Sequence, residues 1–221
     1  MNMRGMALIT GLLLLAAISL LALVGAAGMI LQRHMASNFK HNSTAFQNAD
    51  LASSEGQAWL FSRPNFERES NCVADCLLPI AIHPTSEIPL DIEHQSLAWW
   101  QLNAVEAGTD PATGLAASPI QVDGSEAPLW IIEELHFQPV ELAAPLESVQ
   151  GVGYYRIFGR GSGGDARSVA VTESIVARPW GEGIVPSEYP QTENDVHFCR
   201  QLDEFTQPLP DCGSMAWRQR R

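Results

Sequence analysis

The feature that most constrains the fold is an uncharged stretch near the N-terminus. From Gly5 to Gln32 the chain carries no charged side chain over 28 residues. At about 1.5 Å per residue, a helix of this length is roughly 40 Å long and exceeds the bilayer hydrocarbon core of about 30 Å. A secretory signal has an apolar region of only about 7–15 residues, followed by a cleavage site. The stretch therefore predicts a retained membrane-spanning helix behind a leader of five residues that ends in Arg4-Gly5.

Charged residues are unevenly distributed around this span. All 25 acidic residues lie at or beyond Asp50, and the formal net charge is −12. A phosphate-binding face needs clustered Lys and Arg, so this balance disfavours nucleic acid as a partner. Lys40 is the single lysine, and the basic end of the chain, Arg218, Arg220 and Arg221, is expected to be a frayed, solvated terminus.

Four cysteines, Cys72, Cys76, Cys199 and Cys212, all lie beyond the span. An even number outside a membrane suggests disulfides in an oxidising compartment, and local pairing, Cys72–Cys76 and Cys199–Cys212, is the preferred arrangement. A four-thiolate zinc site and free cysteines packed in a core remain alternatives, although zinc sites usually show C-x-x-C pairs. Disulfides would place the acidic domain outside the cytoplasm and the leader inside it.

The helical pattern continues beyond the membrane. No proline occurs between Gln32 and Leu60, and the first proline, Pro64, predicts the helix end. The less polar positions recur at spacings of three, four and seven, which predicts an amphipathic helix that rests on a sheet. A coiled-coil stalk is the alternative, but the stripe is too small and too polar for sustained heptads. The stripe consists of Met35, Phe39, Phe46, Ala49, Ser53 and Leu60.

Beyond Asn65 the chain contains short β-like runs broken by Pro and Gly. No helix-length pattern separates the runs, so we expect an antiparallel meander and not a βαβ arrangement. The fold class is therefore predicted as α+β, a long N-terminal helix packed on an antiparallel sheet, with an irregular disulfide-stapled tail from Arg178. The candidate strands are residues 77–82, 97–105, 129–137, 152–159 and 168–177.

The segment GRGSGG, Gly159 to Gly164, fits the dinucleotide-binding pattern G-x-G-x-x-G. That fingerprint requires a strand before it and a helix after it, because the helix N-terminus holds the pyrophosphate. Here a predicted strand follows. A glycine-rich turn between two antiparallel strands explains the segment better.

The sequence contains no recognisable catalytic or metal-binding constellation. The six histidines show no H-E-x-x-H spacing, and there is no G-x-S-x-G or Walker motif. The pairs Glu133-Glu134 and Asp203-Glu204 are expected to be solvated charges. The chain is therefore predicted to be a non-enzyme without a cofactor or metal. Two acidic groups are calcium alternatives, although neither follows the EF-hand ligand pattern: Asp123 with Glu126, and Asp195 with Asp203 and Glu204.

Three blocks of the chain resemble type IV pilins and pseudopilins, and most closely PilX-type minor pilins. They are RGMALIT at the start, AFQNADLASSEGQAWL at 45–60, and GYYRIFGRGSGG followed by SVAVTESIVA near the end. The order and spacing of the blocks and the total length are similar to those of PilX-type chains. Residues between about 63 and 150 match no pattern of this kind.

The resemblance implies an explanation for the short leader. A prepilin peptidase would cleave after Gly5, and the new N-terminal residue, Met6, would be N-methylated. The anchor would be retained, since the same helix first holds the subunit in the inner membrane and later packs in the fibre core. The implied segments are the leader 1–5, the membrane and fibre-core half of the helix 6–31, its amphipathic half 32–62, and the extracytoplasmic head 63–221.

One departure from the major-pilin pattern concerns Thr10. Major pilins carry a glutamate at this position, which is thought to pair with the N-terminal amine of a neighbouring subunit. A subunit with no neighbour above it gains nothing from a carboxylate in lipid, so Thr10 suggests a place at or near the fibre tip; alternatively, Thr10 is simply tolerated in a minor subunit.

The resemblance predicts a minor pilin that acts in pilus assembly or priming. Implied partners are other minor pilins, the major pilin, the prepilin peptidase, the inner membrane and, at a tip, an adhesin. Two alternatives remain: a K-type minor pseudopilin of type II secretion, or a membrane-anchored periplasmic enzyme or binding domain.

Overall fold

The computed structural model describes residues 3–68, 82–84, 87–115, 124, 126–139, 150–165, 167–181, 184–187, 189, 198–199 and 211–220. The chain divides into two compact units, Met1–Lys40 and His41–Arg221. One helix, α1 (Met3–Ser62), contributes to both units. The α+β class, with a long N-terminal helix packed on a sheet, is confirmed.

The first unit consists of the apolar part of α1. Side chains from Ile9 to Lys40 are exposed wherever the structure describes them. Met35 and Phe39, expected to rest on the sheet, are 60% and 76% exposed, so that part of the expectation is wrong. The sheet-facing stripe begins later, where the buried Ala49, Ser53 and Leu60 lie as expected.

The second unit is built on a sheet that has six strands among the described residues. The order is β1-β3-β4-β5-β6, and β2 also pairs with β3. The strands are β1 (Ile82–Pro84), β2 (Val105–Glu106), β3 (Leu129–Pro139), β4 (Gly151–Ser162), β5 (Val169–Trp180) and β6 (Gly213–Arg220).

Strands β3, β4 and β5 form the predicted antiparallel meander, with Ile132 opposite Ile157 and Ile157 opposite Ser174. The prediction of a purely antiparallel sheet is wrong at one edge, because β1 runs parallel to β3. Of the candidate strand 77–82, only Ile82 lies within the described residues. The sheet is therefore mixed.

Two further assignments differ from the sequence predictions. Most of the candidate strand 97–105 is a helix, α2 (Leu97–Asn103), whose N-cap Ser96 accepts a hydrogen bond from the Trp99 amide. The basic end, expected to be frayed, is strand β6 and pairs with β5. The tail beyond Arg178 is therefore not irregular throughout.

Apolar side chains cover both faces of the sheet. On one face, α1 packs through Trp59 and Leu60 against Trp130 and Ile157. On the other face, residues 88–104 contribute Ile92 and Trp100 to a separate core. The predicted amphipathic half of α1 therefore accounts for only one of the two cores.

Candidate assembly helix and its seat on the sheet

The predicted processing residues lie at the start of α1. Gly5 and Met6 fall within the helix, and Thr10 follows on an exposed stretch. Among the described residues, one helix is long and apolar enough to cross a membrane, and it comprises Ile9–Ser62. Its exposed apolar residues include Leu12, Leu13, Leu14, Leu15, Ile18, Leu20, Leu21 and Leu23. This apolar surface is far larger than a water-soluble monomer normally exposes.

The second half of α1 lies very close to β4. A Cβ atom on Gly161 would overlap the carbonyl oxygen of Ala45 and the amide nitrogen of Ala49, and one on Gly159 would overlap the Ala49 carbonyl. Alternate residues of a strand face the same side, so Gly159, Gly161 and Gly163 present bare backbone to the helix. Most of the segment that fits the dinucleotide pattern is therefore the end of β4, packed against α1, and the prediction of a turn between strands holds only for Gly163 and Gly164.

Two polar contacts fix the register of this helix–strand contact. The Asn48 side-chain amide donates to the Ser162 carbonyl at 2.8 Å, and the Thr172 hydroxyl donates to the Ala49 carbonyl at 3.1 Å. All four residues are buried. Because a buried polar group without a partner is destabilising, sliding α1 along the sheet would be unfavourable.

A buried arginine closes the C-terminal end of α1. Arg178, on β5, donates to the main-chain carbonyls of Leu60 and Arg63, and its guanidinium lies 3.5 Å from the centre of the Trp180 ring. Burial lowers the pKa of Arg178, because removal from water penalises the charged form. The two carbonyls and the ring offset this penalty, and a cation suits the negative end of the helix dipole.

A second arginine connects the 3-10 helix Asn65–Arg68 to the sheet. Both terminal nitrogens of Arg68 bond the Glu134 carboxylate, at 2.5 and 2.7 Å, and one also donates to the Tyr155 hydroxyl at 2.7 Å. Burial alone would lower the pKa of Arg68, but the bond to Glu134 and nearby negative charge raise it above its ordinary value. Glu134 was predicted to be solvated and is instead half of a bidentate ion pair.

The opposite face also contains carboxylates held by arginines. Glu133, predicted to be solvated, is buried and forms an ion pair with Arg156 at 3.3 Å. Glu173, likewise buried, binds Arg218 and Arg220 at 2.8 Å each. Arg220 therefore anchors β6, so the expectation of a solvated end is wrong for this residue, whereas Arg218 is 63% exposed and Arg221 lies outside the described residues.

The cysteine and calcium predictions fall only partly on the described residues. Cys199 and Cys212 form a disulfide with Cα atoms 5.7 Å apart, next to the core under α1. Within the described part of the chain, no group of three His, Cys, Asp or Glu residues could hold a metal ion. Glu126 binds Arg160 at 2.8 Å. Predicted residues outside the described ones are Cys72, Cys76, Asp123, Asp195, Asp203 and Glu204.

Sequence reasoning missed Arg68 and Arg178, the two arginines that connect the end of α1 to the sheet. Arg178 follows the predicted strand 168–177 and precedes Pro179 and Trp180. An arginine beside a tryptophan in a strand-like run is a weak signal for a buried cation–π pair. The carbonyls that it binds could not be identified without knowing where α1 ends against β5.

An N-terminal helix that is exposed and apolar in its first half and packed on a sheet in its second is consistent with a pilin-like α+β fold. Residues 4–53 match the PilX N-terminal family, and this match supports a PilX-type type IV pilin. The match lies within α1 and includes no strand of the sheet. No curated protein and no solved structure matches the chain.

The family that residues 4–53 match has a characteristic class of function. PilX proteins are minor pilins of the type IV pilus, structural components that associate with other pilins and are not known as an enzyme family. An apolar N-terminal helix fits this class, because such a helix suits both membrane anchoring and a place in the fibre.

Proposed function

We propose that this minor pilin acts in assembly or priming of the type IV pilus, at or near the fibre tip. The observation that carries the proposal is that the family segment 4–53 includes the long exposed apolar stretch and ends where α1 is seated on β4. The exposed apolar end of α1 suits lipid or a fibre core, and the other end is packed on the sheet of the head. The PilX match favours a pilus over a secretion pseudopilus of the K type.

The subunit first resides in the inner membrane with its head in the periplasm. Charge alone does not decide the orientation, because Arg4 lies on one side of the span and Arg33 and Lys40 on the other. The Cys199–Cys212 disulfide of the head supports it, since an oxidising compartment favours disulfides. The partners at this stage are the prepilin peptidase and other pilins, and after assembly the major pilin and a tip adhesin.

Processing provides a direct test of the pilin assignment. We expect a prepilin peptidase to cleave between Gly5 and Met6 and Met6 to carry an N-methyl group, because the leader MNMRG precedes an anchor that must be kept. Mass spectrometry of the mature N-terminal peptide measures both changes. Gly5→Val should leave an unprocessed precursor in the membrane, whereas an intact Met1 in the wild-type protein would contradict the assignment.

Deleting the gene tests the priming role. A subunit that starts fibres should, when absent, reduce the number of surface pili while the remaining fibres keep their normal length, because initiation is lost and elongation proceeds. Electron microscopy of counted and measured pili separates these quantities. Normal numbers of shortened fibres would instead indicate incorporation along the shaft.

A further inference from the structure

Residues 31–40 of α1 form an exposed and amphipathic stretch, called the juxtamembrane segment below. Leu31, Met35 and Phe39 follow one another at intervals of four residues, so they share one face of the helix, and they are 58%, 60% and 76% exposed. Arg33 and Lys40, seven residues apart, share the opposite face and are also exposed. The segment therefore has an apolar face and a basic face.

Packing on the sheet does not explain this pattern. The juxtamembrane segment belongs to the first compact unit, which ends at Lys40. Among the described side chains of α1, the first buried one is that of Ala45. Large apolar side chains are stabilised when they leave water, and Met35 and Phe39 remain mostly exposed. Another apolar environment would therefore stabilise the segment.

The length of the helix places the segment at a membrane surface. At about 1.5 Å per residue, α1 rises about 45 Å from Ile9, where the apolar span begins, to Phe39. A bilayer with its headgroup layers is about 40–45 Å thick, and membrane-spanning helices tilt by about 20° on average. A helix tilted in this way crosses the hydrocarbon core with its uncharged part and brings Met35 and Phe39 to the headgroup layer.

The charge of the segment identifies the kind of lipid. Arg33 and Lys40 are its charged residues at neutral pH, and the chain has no acidic residue before Asp50. A Lys or Arg close to an anionic membrane surface strengthens binding by a factor of about five, which corresponds to about 1 kcal/mol. Long basic side chains lay their apolar stems along apolar surface while the charged ends reach the polar layer. The basic face thus complements headgroup phosphates that carry a net negative charge.

We propose that the juxtamembrane segment binds anionic phospholipids in the leaflet on the side of the head. Met35 and Phe39 lie at the boundary between headgroups and acyl chains, and Arg33 and Lys40 bind the headgroup phosphates. The inference rests on the proposed function, because it concerns the stage at which the subunit resides in the inner membrane. Binding of this kind holds α1 at a defined depth in the bilayer before the subunit enters a fibre.

The lipids that co-purify with the protein test the role of the basic face. The full-length protein is reconstituted into nanodiscs with equal amounts of phosphatidylglycerol and phosphatidylcholine, extracted in mild detergent, and its bound lipids are quantified by mass spectrometry. We expect phosphatidylglycerol to be enriched, and the enrichment to fall by roughly fivefold or more in a variant with both Arg33→Gln and Lys40→Gln. Arg167→Gln, which removes an exposed arginine of the head, is the matched control and should change nothing. Equal enrichment in the wild type and the double variant, or an equal loss in the control, would overturn the proposal.

Photocrosslinking tests the apolar face independently. A benzophenone amino acid replaces Phe39 in the full-length protein in the same nanodiscs, and the adducts are identified by mass spectrometry. The matched control places the benzophenone at Ser37, which lies between Arg33 and Lys40 on the basic face. We expect severalfold more phospholipid adducts from position 39 than from position 37. Equal yields, or adducts from position 39 that contain a second copy of the chain and no lipid, would contradict burial of this face in the membrane surface.

The two proposals fail in different ways. If deletion of the gene leaves pilus number and length normal while the double variant loses phosphatidylglycerol, the proposed function is wrong and the lipid site stands as a property of the anchor. If deletion reduces pilus number but the double variant keeps its phosphatidylglycerol, the lipid site is wrong and the proposed function stands.

Discussion

Arg178 shows how a single buried side chain joins helix and sheet. A helix leaves its last carbonyl groups without intrahelical partners, and here a guanidinium on β5 binds those of Leu60 and Arg63. The planar guanidinium also stacks on Trp180, which a lysine could not reproduce. The charge of Arg178 is therefore buried for a structural reason.

Arg178→Met should destabilise the head strongly. The substitution leaves two main-chain carbonyls without their donor and removes a cation–π contact, a loss of about 2–4 kcal/mol in the free energy of unfolding. Thermal unfolding of the full-length protein in detergent, followed by near-ultraviolet circular dichroism, measures the change. Arg218→Met is the control, because Arg218 is 63% exposed and its bond to Glu173 should contribute about 1 kcal/mol or less. Equal effects of both substitutions would contradict the role given to Arg178.

At the scale of elements, the seat of α1 depends on small residues on both partners. The helix contributes Ala45 and Ala49, and β4 contributes Gly159 and Gly161. Strand glycines weaken a sheet unless another backbone approaches closely, and in this structure the helix backbone does so. The close contact gives α1 a defined position on the sheet without large interlocking side chains.

Gly161→Ala tests this contact with the addition of one methyl group. The new Cβ would overlap backbone atoms of Ala45 and Ala49, which cannot move as a flexible side chain can. We expect a loss of about 3 kcal/mol, at the upper end for overpacking, measured as a lower thermal midpoint of the full-length chain. Gly28→Ala is the matched control, since nothing lies within 4 Å of the Cβ position at Gly28. A Gly161→Ala protein as stable as wild type would mean that α1 is not held against β4.

Local sequence patterns predicted those helices and strands whose structure depends mainly on residues near them in the chain. The alternation in 168–177 and the absence of proline before Pro64 led to β5 and to the end of α1, which the structure confirms to within a few residues. The sequence predicts a strand where α2 lies, although Ser96 is a good N-cap, because the apolar run LAWW suits either structure. Its helical form is favoured by Trp100, which packs on the second face of the sheet. The sequence does not predict that this second face is covered.

Non-local pairing explains the remaining errors. Strand β6 contains only a short apolar run, and its partner β5 is more than 30 residues earlier, so the basic end resembled a disordered tail. Glu173 gains its two arginine partners only through that pairing. For the same reason, the ring contact between Phe46 on α1 and Trp217 on β6 could not be predicted from local patterns.

As a whole, the molecule is suited to two environments. The described side chains from Ile9 to Leu31 are exposed and, apart from Thr10 and Ser19, apolar, and every acidic residue lies at or beyond Asp50. Water favours the acidic head, whereas the apolar helix requires lipid or other helices around it. This division fits both membrane anchoring and a place in a pilus.

Thr10 provides a test of position in the fibre at this whole-molecule scale. If the subunit starts the fibre, its N-terminal helix has a neighbour below and none above, so a carboxylate at position 10 would have no amine to pair with. A glutamate there would then lie in lipid at a cost of about 2–3 kcal/mol on insertion scales. Thr10→Glu should therefore leave piliation unchanged or reduce it, as counted by electron microscopy, with Thr10→Ser as the control for altered side-chain packing. More pili in the Thr10→Glu strain than in wild type would mean that the carboxylate finds an amine from a subunit above, and hence that this pilin is incorporated along the shaft.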